Sequence, residues 1–512
     1  MKNYKYIGLF LVSLGFISCD VDNTLEEIPE IVSPRVELNA GGLDFSTYVA
    51  VGASFTAGYT DGAMFKAAQE NSFPNILATK FKAAGGGDFT QPLMNDNIGG
   101  LIFGTNVVAS PRFYFDGAGP AVLNARPTTQ LTTVLSGPFN NFGAPGAKSF
   151  HLEFPGYGAL NPYFGRMASS PTATVMGDAL ARNPTFFTLS EIGGNDVLGY
   201  ALSGGSGVDQ TGNPNPLTYG VNDITDPNLF AFVFSGMVTA LTANGAKGVV
   251  ANVPYITSLS NFTTVPYNSL DPSLAALAPQ IDALNTQLYG PLDGIFTAFG
   301  EPNRINVLSK TMDNPLLIID ENAADRSAQI TGALTPVLGV PTATAFGAIF
   351  GKARQATEND LILLASSSVI ATPVNGVPAP INVNGVSYPL QDQWVLTPQE
   401  QWAIKRATDA YNTTIASVAA ANPNITMVNF RNVLIEASST GIDFDDYTMT
   451  TDLVTGGLVS LDGVHLTARG YALMANKILG AMDVAFGSNF TQATDGLAVA
   501  GEYPTNYSPL LR

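Results

Sequence analysis

Cysteine occurs once in the 512 residues, histidine twice, and lysine plus arginine number 23 against 41 acidic residues. Each shortage closes off a class of function. A lone Cys19 cannot staple the fold with a disulfide inside the chain. A histidine-dependent mechanism must use His151 or His465, and a nitrogen/sulfur zinc site lacks a third His and a Cys to complete it. A net charge of −18 without any cluster of Lys and Arg excludes nucleic acid as a partner, because phosphate contacts need clustered cations. Common catalytic signatures are missing too: there is no GxSxG, GxGxxG, Walker lysine loop, HExxH or CxxC. Gly347–Ala353 is one residue short of a phosphate loop and lacks its Ser/Thr.

What is there can build a core. Hydrophobic residues make up 46% of the chain and charged residues only 12%, which excludes a disordered protein and suits an envelope or extracellular one. The length allows about three domains, or one large α/β domain with long insertions.

Lys2 and Lys5 precede an apolar run from Tyr6 to Ile17, followed by Ser18 and Cys19, the layout of a secretory signal rather than a membrane span. It resembles a bacterial lipobox, with Phe16 where Leu is usual, and the resemblance implies cleavage before Cys19 and lipidation of its thiol. Residues 19–45 then form an acidic tether, with Asp20, Asp22, Glu26, Glu27 and Glu30 beside Pro29 and Pro34. The expected location is the cell envelope, lipid-anchored, on the outer membrane of a Gram-negative bacterium and open to its surface. Acids after the lipidated Cys resemble a surface-export signal in some lineages; in enteric bacteria an Asp next to it favours the inner membrane.

Five short β-rich runs end in small or polar residues, the pattern of buried parallel strands: Thr47–Gly52, Phe139–Gly143, Phe186–Gly193, Gly248–Val253 and Ile425–Phe430. Helical patterns lie at Leu229–Ala243, Pro398–Ala421 and Gly470–Phe486, the second with Trp402, Tyr411, Ile415, Val418 and Ala419 near one face. The alternation predicts a parallel sheet covered on both faces. Stretches 84–138 and 255–396 break it and are expected to be insertions forming a cap or lid, the second holding an amphipathic segment, Ser273–Phe299.

Four blocks carry the chemistry. Gly52-Ala53-Ser54-Phe55 allows a tight strand-to-helix turn that exposes a serine. Asn141–Ser149 and Glu191-Ile192-Gly193-Gly194-Asn195-Asp196 put glycine where backbone can approach a ligand. In Asp462-Gly463-Val464-His465 a carboxylate three residues before a histidine can hold its Nδ1–H. Singly, each is also an ordinary turn.

Together the blocks resemble the SGNH, or GDSL-type, hydrolases: Ser, Gly, Asn and Asp-x-x-His follow in order, GGND and DGVHLTARGY stand nearly verbatim, and the likeness covers roughly residues 46–255 and 395–485. It implies a three-layer α/β/α sandwich with a five-stranded, mainly parallel, flavodoxin-like sheet over residues 46–490, and a tail from 491 to 512. It implies Ser54 as nucleophile, His465 as general base and then acid, Asp462 orienting His465, and an oxyanion hole of the Ser54 and Gly146 N–H groups with the Asn195 amide. The scheme needs no metal and no cofactor.

The activity this implies is hydrolysis of carboxylic esters through an acyl-enzyme, with acyl-chain or lipid esters favoured by the apolar insertions and an acetylated glycan as the other substrate class. Ala53 and Phe55 depart from the family, which has Asp before the serine and Leu after it. A surface binding lipoprotein on an inactive hydrolase scaffold is the competing expectation. The sequence leaves the oligomeric state open. His151 is expected to cap a loop, Asp443, Asp445 and Asp446 to form a solvated turn, and Phe346, Ile349 and Phe350 to be core or acyl-pocket residues.

Overall fold

The computed structural model of the chain describes residues 35–274 and 277–512. Five strands build the central sheet: β1 Tyr48–Gly52, β2 Asn141–Gly143, β3 Phe186–Leu189, β4 Lys247–Ala251 and β5 Ile425–Val428. They lie in the order β2-β1-β3-β4-β5 and every pairing is parallel. All five expected strands are present. Those expected to run on to Gly193, Val253 and Phe430 stop at Leu189, Ala251 and Val428, because the residues beyond turn away: Glu191 takes a left-handed φ of 53°, and the Asn252 and Asn429 side chains bond to each other at 2.8 Å.

β1, β2 and β3 are buried at every position, as a sheet covered on both faces requires. Phe186 meets the rings of Phe45 and Phe81 on one face. The next residue, Phe187, points to the other face, where a Cβ on the facing Gly248 would lie 2.6 Å from its ring. The helices named here are α1 Ser54–Ala57, α2 Phe73–Ala83, α3 Asn195–Leu202, α4 Pro227–Thr242, α5 Ser327–Leu338, α6 Val340–Phe350, α7 Pro398–Ala421, α8 Phe430–Ser439 and α9 Ala468–Phe486. α7 packs on α3, α4 and β5; α9 packs on α2 and β5.

α7 starts where Pro398 predicts, with Thr397 and Glu400 forming a reciprocal capping box. One expectation for it fails. Trp402 does not join the buried stripe; it is 59% exposed and stacks under the Arg406 guanidinium, while Ile404, Ala407, Tyr411 and Ile415 face inward.

The two insertions carry structure of their own. Within 84–138 lie two small hairpins, Leu101–Phe103 with Asn106–Ala109 and Phe113–Phe115 with Pro120–Val122. Beside them the buried Arg112 donates to the carbonyls of Tyr507, Ser508 and Leu511 and so fastens the C-terminal stretch. The 255–396 insertion has a second hydrophobic core, including Leu288, Tyr289, Phe296, Leu317, Ile330 and Phe350. Helix begins in its amphipathic segment at Ala278 and ends at Ala298, with a π-turn at Asn285–Tyr289. Arg354 sits between Asp320 and Asp360 at 2.6 Å from each, all three largely buried. The end of the expected tether is packed rather than solvated, since Leu43 and Phe45 belong to the main core.

Candidate active site

The strand order reverses at β1, whose neighbours β2 and β3 both come later in the chain. In open parallel sheets the crevice at the carboxyl ends of such strands is where ligands bind. Three of the four sequence blocks follow β1, β2 and β3 at this end.

Ser54 opens α1 directly after β1 and is largely buried. The turn depends on Gly52, where a Cβ would lie 2.1 Å from Thr56 Oγ1 and 2.8 Å from the Ser190 carbonyl. Gly143 on β2 is equally constrained, since a Cβ there would lie 2.2 Å from the Ala57 nitrogen. Among the described residues neither the Ser54 N–H nor its Oγ has a hydrogen-bond partner, the usual state of a first-turn amide.

Asn195 opens α3, and its Nδ2 donates to the Ala147 carbonyl at 2.9 Å. Asp196, fully buried, accepts from Ser149 N at 2.9 Å and Ser149 Oγ at 2.7 Å. These bonds hold the loop after β2 against the start of α3. Gly146 stands at that loop's exposed tip with φ 79°, its N–H unpaired among the described residues.

Asp462 and His465 lie in the loop before α9. Asp462 Oδ2 meets His465 Nδ1 at 2.9 Å and accepts from Gly62 N at 2.8 Å; Oδ1 accepts from the Val464 and His465 N–H groups at 2.9 and 2.8 Å and from Ser460 Oγ at 3.1 Å. Burial by itself would raise the Asp462 carboxyl, but the imidazole and these donors hold it well below the usual carboxylate range. The loop is sewn to the serine segment through Asp61, whose N–H donates to Ser460 Oγ and whose carboxyl accepts from Leu461 N, both at 3.1 Å. Thr60 Oγ1 donates to the Leu466 carbonyl and Tyr471 to that of Tyr59. The His465 ring lies 4.5 Å from that of Tyr59 and 5.6 Å from that of Phe55, the residue after Ser54. No hydrogen bond joins Ser54 to His465 among the described residues.

Ser54 and Asn195 share one cleft of about 110 Å³ that opens to solvent. Its polar residues are Ser54, Ser190, Glu191, Asn195 and Asn252; the remainder is mainly apolar and includes Val253, Leu259, Phe430, Leu458, Leu473 and Met474. Val464 and Leu466, flanking His465, line it as well. The cleft wall does not include Gly146.

Two residues of this site are unmarked as such in the sequence. Asp61 is buried, held with φ 50°, and pushed up to about 7 by burial, with Asp462 adding to the rise. Glu191 reaches across from the turn after β3 so that Oε1 accepts from the N–H groups of Ala53 at 2.5 Å and Thr56 at 3.0 Å; burial pushes its carboxyl up to about 8. The only signals available were the Asp-Gly turn and the glutamate opening the third block.

Other candidates lie elsewhere. His151 caps a 3-10 turn, accepting the Lys148 N–H on Nδ1, and burial lowers it to about 4. Asp443 and Asp445 bond to Thr448 and to the Ala500 N–H. Phe346 lines a second cavity, inside the insertion, and Phe350 its core; neither reaches the Ser54 cleft. Glu321, Asp392 and Glu400 bring carboxylate oxygens within 4.8 Å of one another, and burial with mutual repulsion pushes Asp392 up to about 7 and Glu400 to about 8. Of the described residues these three could hold a cation. Cys19 lies outside the described residues.

Compared with known proteins, the chain matches no family model, no curated protein and no solved structure.

Proposed function

We propose that this protein is a serine esterase of the SGNH/GDSL type that hydrolyses carboxylic esters with an apolar acyl chain. The observation that carries the proposal is one cleft, at the switch point of the sheet, in which Ser54 and Asn195 form a polar end and apolar side chains form most of the rest, beside a histidine held by a carboxylate. A serine hydroxyl is a poor nucleophile until a base takes its proton. Asp462 fixes His465 with Nδ1–H toward the carboxylate, so Nε2 is the base. Ser54 Oγ attacks the ester carbonyl as Nε2 takes its proton; the oxyanion is met by the Ser54 N–H and the second Asn195 amide hydrogen. Nε2 then protonates the leaving alcohol, and water attacks the acyl-enzyme by the same route. Each oxyanion donor is worth about 10²–10³ in rate.

The parallel 2-1-3-4-5 order supports the fold of that family, and the Cys19 signal supports a lipid-anchored envelope protein whose partners are its ester and the membrane. The apolar cleft wall favours an acyl or lipid ester over an acetylated glycan. Against a series of 4-nitrophenyl esters from acetyl to palmitoyl, kcat/KM rises with chain length beyond acetyl and vanishes in Ser54→Ala; strict acetyl preference would overturn the acyl-chain assignment. The missing Ser54–His465 hydrogen bond, with His465 and Gly146 outside the cleft wall, favours a binding protein on an inactive scaffold, and a folded chain that turns over none of these esters would support it.

A further inference from the structure

The turn that presents Ser54 cannot hold itself. α1 has four residues, too few for a helix to stand on its own hydrogen bonds. Its first N–H groups have no intrahelical acceptor, and a cap side chain normally supplies one. Here the cap position is Ala53, whose methyl can accept nothing.

We propose that Glu191 is a positioning residue for the nucleophile, a helix cap delivered from the turn that follows the neighbouring strand. This rests on the esterase reading above. Its Oε1 takes the N–H groups of Ala53 and Thr56, on either side of the serine, and leaves the Ser54 N–H without a partner, directed to the oxyanion role. The arrangement is costly in three ways. Glu191 adopts φ 53°, a left-handed conformation uncommon for a residue with a side chain. Its Oε2 is buried with no hydrogen-bond partner. Gly52 is hemmed in as well, since a Cβ there would stand 3.0 Å from Oε1, besides 2.1 Å from Thr56 Oγ1 and 2.8 Å from the Ser190 carbonyl. Local strain of this kind persists where the surrounding structure enforces it, and such places cluster at active sites. Glu191 opens the turn that leads through Gly193 and Gly194 to Asn195, so one residue ties the nucleophile's turn to the segment carrying an oxyanion donor.

The test compares wild type with Glu191→Gln, Glu191→Asp and Glu191→Ala in the full chain, by kcat and KM on 4-nitrophenyl butyrate and by amide hydrogen exchange over residues 48–58. Gln keeps an acceptor oxygen at the same reach; Asp is one methylene short; Ala has none. The expected result is a kcat within about threefold of wild type for Gln and a fall of about 30- to 100-fold for Asp and Ala with KM nearly unchanged, as for a displaced reacting group. The Ala53 and Thr56 amides should exchange faster in Asp and Ala but not in Gln. Wild-type kcat and exchange in Ala would overturn the proposal, as would equal losses in Gln and Ala with exchange unaltered in both. Should Ala not fold, the Gln and Asp pair decides. Should wild type leave the ester untouched, the esterase reading fails on its own, while exchange still judges whether Glu191 braces the turn.

Discussion

Asp462 shows how much of the site is one residue's work. Its carboxylate accepts from His465 Nδ1 and from the N–H groups of Gly62, Val464 and His465, so it fixes at once the ring, the loop and the serine segment. Asp462→Asn keeps the size but offers an amide where Nδ1–H needs an acceptor, favouring the wrong tautomer. On the proposed mechanism kcat falls by about 10³–10⁴, with circular dichroism unchanged; a fall of less than tenfold would mean that the pair is structural. Ser54, Asn195, Asp462 and His465 were singled out because their four blocks, each an ordinary turn alone, together resemble one family; the structure lines one cleft with Ser54 and Asn195 and sets Asp462 on His465. Glu191 and Asp61 were not. Their partners, Ala53 and Thr56 for one and Ser460 and Leu461 for the other, are distant in the chain and meet only when the sheet assembles.

The elements followed local pattern where pattern and burial agree. All five strands and the helices at Pro398 and Gly470 were readable, because apolar runs ending in small residues and apolar residues at helical spacing mean the same thing in any context. Trp402 was misread against the helix's own period: at about 100° per residue it stands about 180° from Tyr411, on the outer face, whereas Glu400 falls within about 20° of Tyr411 and is buried. Stretch 255–396 was expected to be an insertion forming a cap or lid, with one amphipathic segment; its separate core was not legible, since it joins short pieces that carry little periodicity each. Arg354 anchors that lobe between two acids. Arg354→Ala leaves Asp320 and Asp360 buried without their cation, and breaking such a pair costs about 3–5 kcal/mol. Hydrogen exchange should speed up across residues 315–362 while β1 and β3 stay protected; uniform protection in the variant would show that the ion triad does not hold the lobe.

At the scale of the whole molecule, an acidic chain has buried several of its acids. Burial raises Asp61 to about 7, Glu191 to about 8, Asp392 to about 7 and Glu400 to about 8. Each keeps its proton in the folded state over a range in which the unfolded chain, with carboxyls near 4, has lost it. The stability these four contribute therefore falls as pH rises from about 4 through 8, opposed up to pH 6.5 by His151, which burial lowers to about 4. Asp462 runs the other way: held low when folded, it stabilises above the unfolded value and loses that contribution as pH drops below about 4. A melting temperature that peaks near pH 5 and declines toward pH 9 is expected, and a maximum above pH 8 would contradict the burial of these groups as neutral acids. The central claim is that Ser54 is an activated nucleophile. The most direct measurement is labelling of the folded chain with a fluorophosphonate at neutral pH, read by mass spectrometry of the peptide bearing residue 54. A single adduct on Ser54 is expected, slowed by His465→Ala and absent in Ser54→Ala; a folded protein that takes no label at Ser54 would rule out an activated nucleophile there.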